Sequence, residues 1–189
     1  VSLLWPLVAR LEARLEDGHS EREVLRLLAH ARIGLGVALG NVFPEERLAT
    51  ATHWTAKSLD IAAHFKDPAF SSYALRMHGN ELRKARIRGA AVDRLSHAAA
   101  LAPDRETRAA VLPLYARTAG ELGDSQLFDS VMQEADDLIG STGHTSLFNP
   151  YTLHEIRLRG LVSTGRADVA YGWSTMDLAR RRPSHRNGE

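Results

Sequence analysis

The chain is predicted to be all-α, a right-handed superhelical stack of antiparallel helix hairpins, and three features of the sequence predict this. Apolar residues recur at three- and four-residue spacing along nearly the whole chain, the period of an amphipathic helix. No alternating segment rich in Val, Ile and Thr is long enough for a strand. The helical stretches are joined by short turns, which force neighbouring helices antiparallel. One domain is expected over residues 1–180, followed by a polar tail over residues 181–189.

Leu4, Leu7, Val8, Leu11 and Leu15 mark the first helix, and Asp17-Gly18 ends it. Ser20 and Glu23 have the Ser-x-x-Glu spacing of a capping box. Val24, Leu27, Leu28, Ala31 and Leu35 carry the second helix to a stop at Gly40-Asn41. Pro44-Glu45-Glu46 suits the start of a third, because Pro fits the first turn and carboxylates suit the positive end of the dipole. That helix is predicted to reach about Phe65, and Asp67-Pro68 opens a fourth that runs to about Ala85. Gly89 precedes a fifth, which ends before Pro103. Asp104 caps a sixth reaching Leu122, with Pro113 inside it and expected to bend it. Gly123-Asp124-Ser125 turns into a seventh ending near Ile139, and the longest loop follows from Gly140 to Pro150. A last pair is predicted at about Tyr151–Ser163 and Arg166–Arg180.

Composition narrows the function classes. The 189 residues are 44% apolar and 25% charged, which argues against disorder and against a collagen-like chain. A net charge of +1 gives no excess pointing to nucleic acid or to a membrane surface. With no cysteine there are no disulfides, thiolate metal sites or cysteine nucleophiles. Among 24 basic residues only Lys57, Lys66 and Lys84 are Lys, and with abundant Ala this suggests a GC-rich bacterial source. No signal peptide or membrane span is visible, so a cytoplasmic protein is expected. The chain opens on Val1 with apolar residues, as expected of a piece whose preceding part is missing.

Within residues 72–105, Leu75, Gly79, Leu82, Ala91, Leu95, Ala98 and Pro103 form a repeat unit. Small residues at 79 and 91 suit a close crossing of two helices, and Pro103 ends the second helix. The pattern resembles the tetratricopeptide (TPR) repeat, with Leu75 and Leu82 in place of the usual Trp and Tyr. A second copy covers about Ala109 to Gly140, with Ala116 in the place of Gly79. A poorer third covers Thr152 to Arg182, and residues 21–65 form another, degenerate hairpin. Repeats cannot bury their faces alone, so about four or five stacked hairpins are expected. The run from Tyr73 to Lys84 is also similar to the TPR region of actinobacterial helix-turn-helix regulators. That resemblance implies a sensory or oligomerisation part following a DNA-binding domain.

Catalytic and metal-binding signatures are not found. His-Glu-x-x-His, Gly-x-Ser-x-Gly and the phosphate-binding Gly-x-x-x-x-Gly-Lys-Ser/Thr are absent. Gly34, Gly36 and Gly40 sit late in a helix and suit close packing and a helix stop, not a nucleotide loop. None of the nine histidines pairs with another at helical spacing. Glu45-Glu46 and Asp136-Asp137 are adjacent residues that diverge on a helix. No enzyme activity, cofactor or metal is therefore expected. Trp54 and Trp173 are read as core or interface residues, Leu147-Phe148 as a groove cover or subunit contact, and the basic run at Arg180-Arg181-Arg182, with Arg186, as solvated.

The positive candidate is a ligand groove. In such a stack the first helix of each hairpin lines the concave surface. Arg76, Asn80 and Arg83 fall at i, i+4 and i+7 on one face of such a helix, apart from Leu75, Gly79 and Leu82. Repeat register places Arg117 and Arg159 where Asn80 sits, while Pro113 breaks the row at the position of Arg76. Guanidinium forks suit carboxylates and phosphates. TPR proteins that clamp peptide C-termini carry an Asn and basic residues at such positions, which Arg76 and Asn80 match. The competing expectation is that these arginines are solvated or paired with Glu81, Glu121 and Glu155. The predicted function is a peptide- or protein-binding sensory domain of a bacterial transcriptional regulator, acting in signalling through oligomerisation or through DNA binding by the missing domain. The partner is a peptide, a protein or a second copy of the chain, with no nucleic acid bound directly by this part and no membrane. The alternatives are a ligand-free dimerisation scaffold or a free-standing adaptor.

Overall fold

The structure is a computed structural model that describes the backbone of residues 1–180 and the side chains of residues 1–173. Within that range it is all-helical. The helices are α1 (Leu4–Glu16), α2 (Arg22–Val42), α3 (Leu48–Phe65), α4 (Pro68–Lys84), α5 (Arg88–Leu101), α6 (Arg105–Leu122), α7 (Ser125–Ile139), α8 (Pro150–Ser163) and α9 (Ala167–Arg180). A 3₁₀ turn, Glu45–Arg47, leads into α3.

Four helix starts follow from one device. The side chains of Asp67, Asp104, Asp124 and Asn149 accept from the backbone N–H of Phe70, Thr107, Leu127 and Thr152. Each satisfies a donor that has no partner within its own helix. Pro68 and Pro150 occupy first-turn positions, where a missing N–H costs nothing. The C-cap of α6 is Gly123 at φ 85°, a left-handed conformation that glycine adopts without strain.

Some local expectations are corrected. The Ser20–Glu23 capping box does not form: the N-cap of α2 is Glu21, with no side-chain cap bond. Glu21 instead pairs with His19. Gly40 and Asn41 lie inside α2, which continues to Val42, and Gly89 lies inside the first turn of α5. As expected, α6 runs through a buried Pro113 to Leu122.

Packing follows a simple order. The pairs α2–α3, α4–α5, α6–α7 and α8–α9 are in contact as hairpins, and each second helix touches the first helix of the next pair. The first helices also touch in series, α2 to α4, α4 to α6 and α6 to α8. Helix α1 packs on α2. Gly79 permits the α4–α5 crossing: a Cβ there would lie 2.8 Å from Leu95 Cγ and 3.4 Å from Ala91 O. Gly36 does the same for α2 and α3, where a Cβ would meet Thr55 Cγ2 at 2.6 Å.

Three apolar clusters result. The first joins α1 to α4 around Leu28, Leu35, Leu39, Ala51 and Phe65. The second joins α6 to α9 around Leu112, Phe128, Met132, Leu153 and Ile156. A smaller one, with Leu75, Leu95, Ala98, Val111 and Leu114, lies between them, and Leu59 and Tyr115 reach from it into its neighbours. Trp54 packs against the first cluster, with Trp5 edge-on at 5.4 Å between ring centres.

Candidate functional site

The last turn of α4 and the last two turns of α6 and α8 converge on a cavity of about 470 Å³. Arg83, Arg117 and Arg159 line it together with Glu121, and Ile156, Leu158 and Val162 give it an apolar wall. The carboxyl ends of three helices meet here, so their dipoles put partial negative charge at the site, which the guanidinium groups offset. Arg83 donates from Nη1 to Glu121 Oε1 at 2.7 Å, and from Nε and Nη2 to Asn80 Oδ1 at 3.3 and 3.2 Å. Glu155 faces both other arginines, with Oε1 2.9 Å from Arg159 Nε and 4.0 Å from Arg117 Nη2. Three cations thus meet two carboxylates. The surplus concentrates on Arg117, whose Nε is buried without a hydrogen-bond partner. Burial pushes the Arg117 pKa down, Arg83 and Arg159 push it further in that direction, and Glu155 and Glu121 oppose them.

The predicted row is therefore divided. Arg83, Arg117 and Arg159 share one cavity, and Asn80 sits behind Arg83 as the acceptor that orients it. Arg76 does not join them. It lies in a second cavity, of about 340 Å³, between the first halves of α4 and α6, and donates from Nη1 to Ala110 O at 3.2 Å. Helical spacing correctly puts the three α4 residues on one face, but that face meets α6 along its length, and the two ends open into separate spaces.

Two buried groups beside the groove carry no periodic signal in the sequence. Glu81 is fully buried where α4 meets α2. Its Oε1 accepts from Lys84 Nζ at 2.9 Å and Asn80 Nδ2 at 3.4 Å, while Oε2 has no partner and lies against Gly40. Lys84 also donates to Asn41 Oδ1 at 2.8 Å. Burial raises the Glu81 pKa, and Lys84 opposes this. His78 is buried against α3, with Nδ1 2.9 Å from Thr55 Oγ1. Burial, helped by Arg94, lowers its pKa to about 4. A charged residue at an inward helix position was the available signal for Glu81, since Gly40 supplies the space for its carboxylate.

The remaining candidates fall elsewhere. Phe148 is buried in the second cluster, so it is core rather than a groove cover, while Leu147 stays exposed. Asp136 pairs with Arg157 at 2.5 Å, whose guanidinium lies over the Trp173 ring, and Asp137 accepts from Gln133. Glu45 pairs with Arg86. Arg181, Arg182 and Arg186 lie outside the described residues, as does the side chain of Arg180. Among the described residues, no group of three or more His, Asp or Glu side chains is placed to hold a metal ion. Among the same residues, no helix is long and apolar enough to cross a membrane. The chain matches no protein-family model, no curated protein and no solved structure.

Proposed function

We propose that this chain is a non-catalytic, TPR-like binding domain whose α4–α6–α8 groove takes a carboxylate-bearing segment of a peptide or protein partner. The observation that carries the reading is the convergence of Arg83, Arg117 and Arg159, from three successive hairpins, on one cavity with an apolar wall and a surplus of positive charge. A carboxylate there would take hydrogen bonds from Arg117, and an apolar side chain next to it would cover Ile156, Leu158 and Val162. Because the ligand would touch three hairpins, its binding energy would favour one angle between them, and so bias a neighbouring domain or a subunit contact. The likeness of residues 73–84 to repeats of actinobacterial regulators supports placing the domain in a bacterial transcriptional regulator, where that bias would act on DNA binding or oligomerisation. The serial contacts of first helices support the repeat reading.

The test is a peptide array synthesised twice, with free and with amidated C-termini, and probed with the intact chain and with an Arg117→Ala/Arg159→Ala variant. The expected result is a set of peptides retained only with the free carboxylate and lost at least tenfold in the variant. Retention indifferent to the carboxylate, or undiminished in the variant, refutes the groove. A dimer that retains no peptide points to the scaffold instead.

A further inference from the structure

We propose that the cavity between the first halves of α4 and α6 is a separate site for a single carboxylate, with Arg76 as its cation. Of the part-buried arginines, Arg32, Arg83, Arg108, Arg117, Arg157 and Arg166 each face a carboxylate, Glu12, Glu121, Glu134, Glu155, Asp136 and Asp129, whereas among the described residues Arg76 and Arg88 do not and each has a buried Nε without a hydrogen-bond partner. Arg76 faces none within ion-pair distance among the described residues. Its partners are the Ala110 carbonyl and the Tyr73 ring, 5.6 Å away, and its Nε is buried with no hydrogen-bond partner. A guanidinium stays charged in proteins, so this is a part-buried cation with no directly paired carboxylate, Glu106 being the one acidic side chain on the same cavity wall, and an anion in the cavity would complete it. Burial correspondingly lowers the Arg76 pKa, with no carboxylate acting against it.

The space fits such an anion. The cavity of about 340 Å³ admits a small carboxylic acid or an acidic side chain. Thr107, which lines it, stands in the first turn of the 18-residue helix α6, whose dipole favours negative charge. Glu106 also lines the cavity, with both oxygens accepting from the Gly143 N–H at 3.0 and 3.2 Å. Its fixed negative charge selects a monoanion over a phosphate dianion. The site does not rest on the groove proposed above. The two cavities share no lining residue, and Arg76 precedes Arg83 by two helical turns, about 10 Å.

Arginine Nε–Hε signals in ¹⁵N-edited NMR of the intact chain test this, with acetate, inorganic phosphate and a doubly blocked peptide holding one internal Asp as probes. The Arg76 signal should shift saturably with at least one carboxylate probe, while exposed Arg22 drifts linearly. Acetate alone succeeding assigns a free acid; the peptide alone succeeding assigns an acidic chain segment; both assign the shared group. Read on the Thr107 amide, the response should weaken at least tenfold in Arg76→Gln and survive in Arg76→Lys; read on Arg76 itself, it should persist in Arg117→Ala/Arg159→Ala, which disables only the other groove. An Arg76 signal that follows Arg22 with every probe overturns the proposal, as does phosphate binding more tightly than both carboxylates.

Discussion

His78 makes the fold sensitive to pH. The Thr55 hydroxyl lies 3.2 and 3.0 Å from the Ala51 and Thr52 carbonyls, so it donates there and leaves Oγ1 to accept from Nδ1–H of a neutral imidazole. The folded pKa of about 4 lies below the ordinary 6.5, so the unfolded chain binds the proton more tightly. The His78 contribution to stability is complete above pH 6.5 and is lost as pH drops towards 4, by an amount on the order of 3 kcal/mol. Urea titrations across that range should show the loss, and His78→Gln should remove most of the slope. Glu81 acts with the opposite sign: its raised pKa means that stability declines as pH rises above 4.5. A second residue-scale prediction concerns Gly160, where an added Cβ would overlap the ring of fully buried Phe128. Gly160→Ala should destabilise by about 1–3 kcal/mol in chemical denaturation, because that ring is enclosed by the second cluster. The sequence revealed Gly79 and Ala91 through their repeat spacing. It did not reveal Gly160, because the partner that crowds it, Phe128, is thirty-two residues away on another helix.

At the scale of elements, turns and caps were the most legible feature. Asp104 caps its helix as expected; Asp67 and Asp124, expected only as turn residues, and Asn149, which the sequence reading does not single out, accept the same kind of backbone bond. The Ser20–Glu23 motif has the same look but stays unused, because Glu21 takes the N-cap position. This contrast is testable by thermal unfolding. Asp124→Ala should cost about 1 kcal/mol, whereas Ser20→Ala should change stability by less than about 0.5 kcal/mol. The candidate site was legible in part for a related reason. Periodicity assigns Arg76, Asn80 and Arg83 to one face, but which neighbour fills each stretch of that face depends on α6 and α8. The alliance of Arg83 with Glu121, and the isolation of Arg76, come from that tertiary packing.

For the whole molecule, the middle cluster is the smallest of the three and the link between the other two. Leu95 is its fully buried centre, packed over Gly79. Leu95→Ala should cost about 2–5 kcal/mol. It should also split unfolding, so that hydrogen exchange in α2 and α7, expected to share one denaturant dependence in the parent chain, follows two different ones in the variant. One shared transition in the variant would show that the halves are coupled by more than this cluster.

The order of packing also sets how the chain reaches this state. Each helix finds its main partners in the adjoining hairpins, so the loops closed in forming them are short and their closure entropy is small. Chains with such local connectivity fold on a microsecond-to-millisecond timescale, and any hairpin can act as the seed from which the others grow. A protein emerging from the ribosome would then begin to fold while its last hairpins are still being synthesised.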